Sequence, residues 1–134
     1  MLNPRRIQTI LLLEEDNDAR NALVENLTSQ NYCILIAVNK QNAIDWIQNL
    51  VKAPDVFLVN QIKIPLEEYI VMIQDLYSQT LLLPSMPTII LADQYSDDLS
   101  RTEERVDDNI FIVYLKNAQQ LFDMLERLLN NAKY

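Results

Sequence analysis

Three acidic side chains, Glu14, Glu15 and Asp16, stand directly after the apolar run Ile10–Leu13. Other apolar runs end on polar or small residues in the same way. Asn60 follows Val56–Val59, Ala92 and Asp93 follow Thr88–Leu91, and Lys116 and Asn117 follow Ile110–Leu115. A pair of carboxylates can offer hard oxygen ligands to a divalent cation, and a lysine facing them neutralises one charge. The carboxamide of Asn60 offers hydrogen bonds but no anionic oxygen, so it is no nucleophile. Plainer readings stand beside these. Glu14 and Glu15 also fit as solvated carboxylates at a helix N-terminus, favourable by roughly 0.3–1 kcal/mol. Lys116 fits as their salt-bridge partner, and Asn60 as a local hydrogen bonder fixing the loop before Pro65.

What the chain lacks narrows the chemistry further. Among 134 residues there is no Gly, which removes the GxGxxG and P-loop phosphate cradles. There is no His, which removes imidazole catalysis, the usual triads and His-ligated zinc. The single Cys, Cys33, can form neither an intrachain disulfide nor a cysteine metal cluster; amid apolar neighbours it reads as a small core residue. Nineteen acids against eleven bases leave a net charge of −8. Such a surface repels nucleic acid and anionic membranes over about 8–10 Å. No apolar run approaches the roughly 18 residues of a membrane span, and Ile10–Leu13 runs into acids too early for a secretory leader. The expected location is the cytoplasm.

The candidate residues need elements to bring them together. Five apolar runs recur: Ile10–Leu13, Tyr32–Val38, Val56–Val59, Thr88–Leu91 and Ile110–Leu115. None alternates with polar residues, which predicts strands buried on both faces, as in a central parallel sheet. Helical periodicity fills most of the gaps, over Asp18–Gln30, Asn39–Val51, Leu66–Leu81 and Ala118–Ala132. Trp46 falls at the margin of the Ile44–Ile47–Leu50 stripe, as rim packing or a contact residue. Tyr95–Val106 is poorer in apolar residues and predicts a short, exposed, weakly held helix. Alternating strand and helix predicts one α/β domain over residues 1–134, with residues 1–6 as a flexible tail. The expected architecture is an open, three-layer, five-stranded parallel sheet in the flavodoxin-like order 2-1-3-4-5. In such sheets ligands bind beyond the carboxyl ends of the strands, where the candidate residues lie.

That layout, covering about Ile7 to Asn130, resembles the receiver domain of two-component response regulators. The acidic pair falls on Glu14 and Glu15, the stretch Pro54–Asn60 closed by Pro65 is similar to the phosphorylation-site strand and loop, and Lys116 matches the family lysine. The resemblance implies a Mg²⁺ site formed by the acidic pair, the phosphoaccepting residue and the backbone carbonyl at Ile62.

The departures are equally specific. Asn60 stands where the resemblance implies a phosphoaccepting Asp. Ala92 stands where it implies a hydroxyl, Val113 where it implies a switching aromatic (Tyr114 is one residue along), and Asn117 where it implies Pro. Glu14 and Glu15 against Lys116 leave one net negative charge, where an Asp at position 60 would leave two, so Mg²⁺ binding is expected to be weak or absent and no cofactor is required. From Asp97 to Asp108 lie six acids (Asp97, Asp98, Glu103, Glu104, Asp107, Asp108) and two arginines, half of the chain's net charge. That run reads as a solvated face or as a partner-docking surface steered by charge. The expectation is a non-enzymatic, stand-alone receiver-like module in or beside a phosphorelay. It would act without phosphorylation on a protein partner: a sensor kinase, an output protein or a second copy. Two alternatives remain: a regulator phosphorylated on Asp16 or Asp93, or a small flavodoxin-like enzyme or cofactor carrier. The second is opposed by Glu14–Asp18, which repels phosphate.

Overall fold

The computed structural model describes residues 7–49, 54–60, 65–79, 86–92, 103–106, 109–114 and 118–131. In chain order these form β1 (Thr9–Leu13), α1 (Asn17–Ser29), β2 (Cys33–Ala37), α2 (Lys40–Asn49) and β3 (Val56–Asn60). Then come α3 (Leu66–Gln79), β4 (Thr88–Ala92), β5 (Glu103–Arg105), β6 (Ile110–Tyr114) and α4 (Ala118–Asn131). The strands form one sheet in the order β2-β1-β3-β4-β6-β5. All pairs are parallel except β5 with β6. With β6 as the fifth predicted strand, the order 2-1-3-4-5 is the observed one, extended by a short antiparallel edge.

Strand period explains how the sheet separates two cores. Along β1, Leu11 and Leu13 turn to one face, where they meet Ala43, Ile44 and Ile47 of α2 and Ile73 and Leu76 of α3. Ile10 and Leu12 turn to the other, against Leu27 of α1 and Leu121, Leu125 and Leu129 of α4. Strands β1, β3 and β4 are thus covered on both sides and read as unbroken apolar runs. Helix α1 begins where Asp16 caps it, its Oδ2 accepting from the Ala19 N–H at 2.8 Å. It ends at a turn whose Asn31 has φ 69°, the left-handed conformation that glycine usually supplies. No helix among the described residues is long and apolar enough to cross a membrane.

Two expectations are corrected. First, β2 is an edge strand, so it is not buried on both faces and Cys33 is exposed rather than a core residue. An edge strand has a neighbour on one side only, and its apolar sequence does not reveal that. Second, residues 103–105 of the segment read as a short helix form a strand. The Val106 N–H donates to the Ile110 carbonyl at 2.8 Å and closes a hairpin. Glu104 reaches Tyr114 while Val106 packs into the α2–α3 core, whereas Glu103 reaches Arg127 of α4 and Arg105 lies over Phe111. That alternation is a strand's, carried by charged residues that hydrophobic periodicity does not register. Ala92 and Val113 lie on opposite faces of the sheet. Ala92 is the register partner of Tyr114 and shares the α2–α3 core with it, while Val113 lies in the α1–α4 core. Trp46 sits half-buried at the rim, its Nε1–H donating to the Ile36 carbonyl at 2.7 Å.

Candidate functional site

At the carboxyl end of β1 the backbone continues the sheet for one more residue. The Glu14 N–H donates to the Ala37 carbonyl at 3.1 Å, and its own carbonyl accepts from Arg20 Nη1 at 2.9 Å. This holds Glu14 in the strand's alternation and buries it completely. Asn60 ends β3, two strands from β2, and its Nδ2 donates to Glu14 Oε1 at 3.1 Å. Glu14 Oε2 is buried and has no hydrogen-bond partner among the described residues. Burial pushes the Glu14 carboxyl above its ordinary pKa, and the charges of Asp16 and Glu15 add to that. The Asn60 hydrogen bond and the Arg20 guanidinium oppose it.

Its neighbours are placed differently. Glu15 is exposed, so the acidic pair is divided between one buried and one solvated carboxylate. Asp16 is exposed and its Oδ2 is engaged in capping α1. Arg20, which no motif pointed to, anchors this corner by also donating to Asn17 Oδ1. On the other side of β3, Ala92 is buried next to Tyr114, whose hydroxyl donates to Glu104 Oε2 at 3.1 Å. Glu103 accepts from both Nη atoms of Arg127, at 2.9 and 2.5 Å. The structure therefore brings Glu14 to Asn60, and Tyr114 to Ala92 and Glu104. The predicted site residues Ile62, Asp93, Asp97, Asp98, Lys116 and Asn117 lie outside the described residues, as do residues 1–6.

Among the described residues, the donor set does not fit a strong Mg²⁺ site. Octahedral Mg²⁺ takes hard oxygen ligands. Here the carboxamide turns its N–H toward Glu14, Glu15 faces solvent, and no group of three acids among the described residues is placed to share an ion. The described part of the site holds one buried carboxyl against one carboxamide.

No protein-family model matches the chain and no curated protein matches it. Solved structures do. A response regulator receiver domain protein (CheY-like) from Methanospirillum hungatei aligns with a TM-score of 0.69, over 96% of this chain and 98% of its own, at 19% identity. Chemotaxis protein CheY4 of Vibrio cholerae gives 0.68 over 92% and 100%, at 16% identity. The response regulator TrrA of Thermotoga maritima, solved in complex with Mg²⁺-BeF, gives 0.66 over 92% and 100%, at 21% identity. TrrA is also solved in complex with the histidine kinase ThkA. At such identities the likeness is one of fold. The chain has the CheY-like receiver fold of response regulators, a flavodoxin-like α/β sheet carrying one extra antiparallel edge strand.

Proposed function

We propose that this chain is a receiver-like signalling module of two-component pathways that binds a protein partner without being phosphorylated and is not an enzyme. The observation that carries the reading is the Asn60–Glu14 pair at the carboxyl ends of β3 and β1, 3.1 Å apart. Phosphoryl transfer needs an anionic oxygen in line with phosphorus, and the residue in that position is a carboxamide engaged with a neighbouring acid. Ala92 adds no hydroxyl donor beside it. A structural neighbour, TrrA, is solved with a histidine kinase, which supports a protein as the partner here. Glu103 and Glu104, with Asp97 and Asp98, are the surface we assign to that partner.

Incubation with acetyl phosphate and Mg²⁺ tests this by intact mass. The wild-type mass is expected to stay unchanged, whereas Asn60→Asp regains a nucleophile and gains one phosphoryl group slowly. Asn60→Asp with Ala92→Thr should gain more than the single changes suggest, because such groups act as a unit. A stable phosphoryl adduct on the unmodified protein would sink the reading, and mapping it to Asp16 or Asp93 would install a different phosphoacceptor.

A further inference from the structure

The two edges of the sheet are built differently. At β5 the edge strand is Glu103-Glu104-Arg105. At β2 it is Cys33-Ile34-Leu35-Ile36-Ala37, and no charged residue lies between Glu25 and Lys40. Charge along an edge strand discourages pairing with another chain, and its absence leaves the backbone available as a template. The direction of that backbone follows from its bonds. The Cys33 N–H donates to the Gln8 carbonyl at 2.9 Å and the Ala37 carbonyl accepts from Glu14 at 3.1 Å, so these residues face β1. By alternation, Ile34 and Ile36 turn their N–H and C=O groups away from the sheet. The Ile36 carbonyl is taken by Trp46 Nε1, and the Val38 N–H by Asn42 Oδ1 at 3.1 Å. The Ile34 N–H and C=O and the Ile36 N–H have no partner among the described residues. The side chains of Ile36 and Val38 beside them are 38% and 44% exposed.

We propose that β2 pairs antiparallel with β2 of a second copy of this chain, about a two-fold axis at Ile34, so that two sheets become one. Two arguments select that occupant. Copies carrying −8 each repel over about a Debye length, and the approach that brings the fewest like charges together is along the uncharged edge. A basic partner, by contrast, would be drawn to the acidic residues at the opposite edge. The second argument is self-complementarity. Under a two-fold axis, the N–H of Ile34 in each copy meets the carbonyl of Ile34 in the other, which uses both unclaimed groups of that residue twice over. In this register the two Cys33 Cα atoms lie about 8 Å apart, from two residue rises and one strand spacing. That is too far for a disulfide, which needs less than about 7 Å, and within reach of a short bis-maleimide.

Sedimentation of the full chain at several concentrations and salt levels tests the proposal, with Cys33 cross-linking as a second readout. A dimer is expected that tightens as salt rises, because screening relieves repulsion between like-charged copies, and that cross-links through Cys33. Ile36→Lys, an exposed position where folding is checked by circular dichroism, should weaken the dimer about tenfold or more and abolish the cross-link. The substitution lowers the net negative charge, so weakening reports on the β2 edge itself and not on the overall charge of the chain. A chain that stays monomeric at millimolar concentration in high salt overturns the proposal. So does a dimer that ignores Ile36→Lys, or a foreign strand captured at β2 by a monomeric chain. None of these outcomes bears on Asn60 or on phosphorylation, so the proposed function stands or falls separately.

Discussion

Glu14 is the residue on which the site's energetics turn. A buried carboxyl whose Oε2 has no partner among the described residues pays for its placement whenever it is charged, and burial raises its pKa accordingly. The sign of the pH effect follows. The folded protein binds this proton more tightly than the unfolded chain, so the contribution to stability is fully present below the ordinary value of about 4.5 and is lost as pH rises through the folded value. Glu14→Gln stays neutral and keeps an oxygen to accept from Asn60. In metal-free buffer it should melt close to wild type near pH 4 and be more stable at neutral pH by about 1–3 kcal/mol, the desolvation penalty that only the charged carboxylate incurs. Parallel stability curves for the two proteins across that range would show that Glu14 carries no such burden. The acids after β1 were legible in the sequence as a pair. Their division into one buried and one solvated carboxylate was not, because it depends on the Glu14 N–H continuing the ladder to Ala37.

Among the elements, the legible ones are those whose burial matches their composition. Strands β1, β3, β4 and β6 lie within the sheet, and their apolar runs mark them with little ambiguity. Strand β2 has the same composition at an edge, so sequence placed it correctly and misjudged its exposure. Strand β5 has the opposite composition, and its strand character lies in where its side chains reach. Two of those contacts tie it down: Glu104 to Tyr114 and Glu103 to Arg127. The Arg127 pair is well aligned but exposed, with side-chain accessibilities of 53% and 38%. Exposed pairs are worth about 0–1 kcal/mol. Arg127→Ala should therefore lower global stability by less than about 1 kcal/mol, while the amides of Glu103–Arg105 exchange with solvent measurably faster. Unchanged exchange there would mean that the hairpin is held by its backbone bonds and Tyr114 alone.

Over the whole molecule, charge decides which surfaces can meet which partners. The net −8 is spread unevenly: Asp97–Asp108 contributes six acids and two arginines, while residues 26–39 contribute none. If the acidic edge receives a basic partner, capture should weaken as salt rises, mainly through slower association. Reversing Asp97, Asp98, Glu103 and Glu104 to lysine should abolish capture in a pull-down without unfolding the chain. Undiminished capture by that variant would reduce the acidic edge to a solvated face. Salt is thus expected to oppose one contact and favour the β2 pairing.

The left-handed turn at Asn31 has a consequence for the state the protein folds from. A chain of ordinary composition and this length carries roughly nine glycines, and this one carries none. Asn31 takes up the positive φ between α1 and β2 that glycine would otherwise supply. Every residue of the unfolded chain is therefore confined by a Cβ, and each glycine replaced at a compatible position spares about 0.4–1 kcal/mol of conformational entropy. The native fold is favoured in part by the narrowness of the ensemble it replaces.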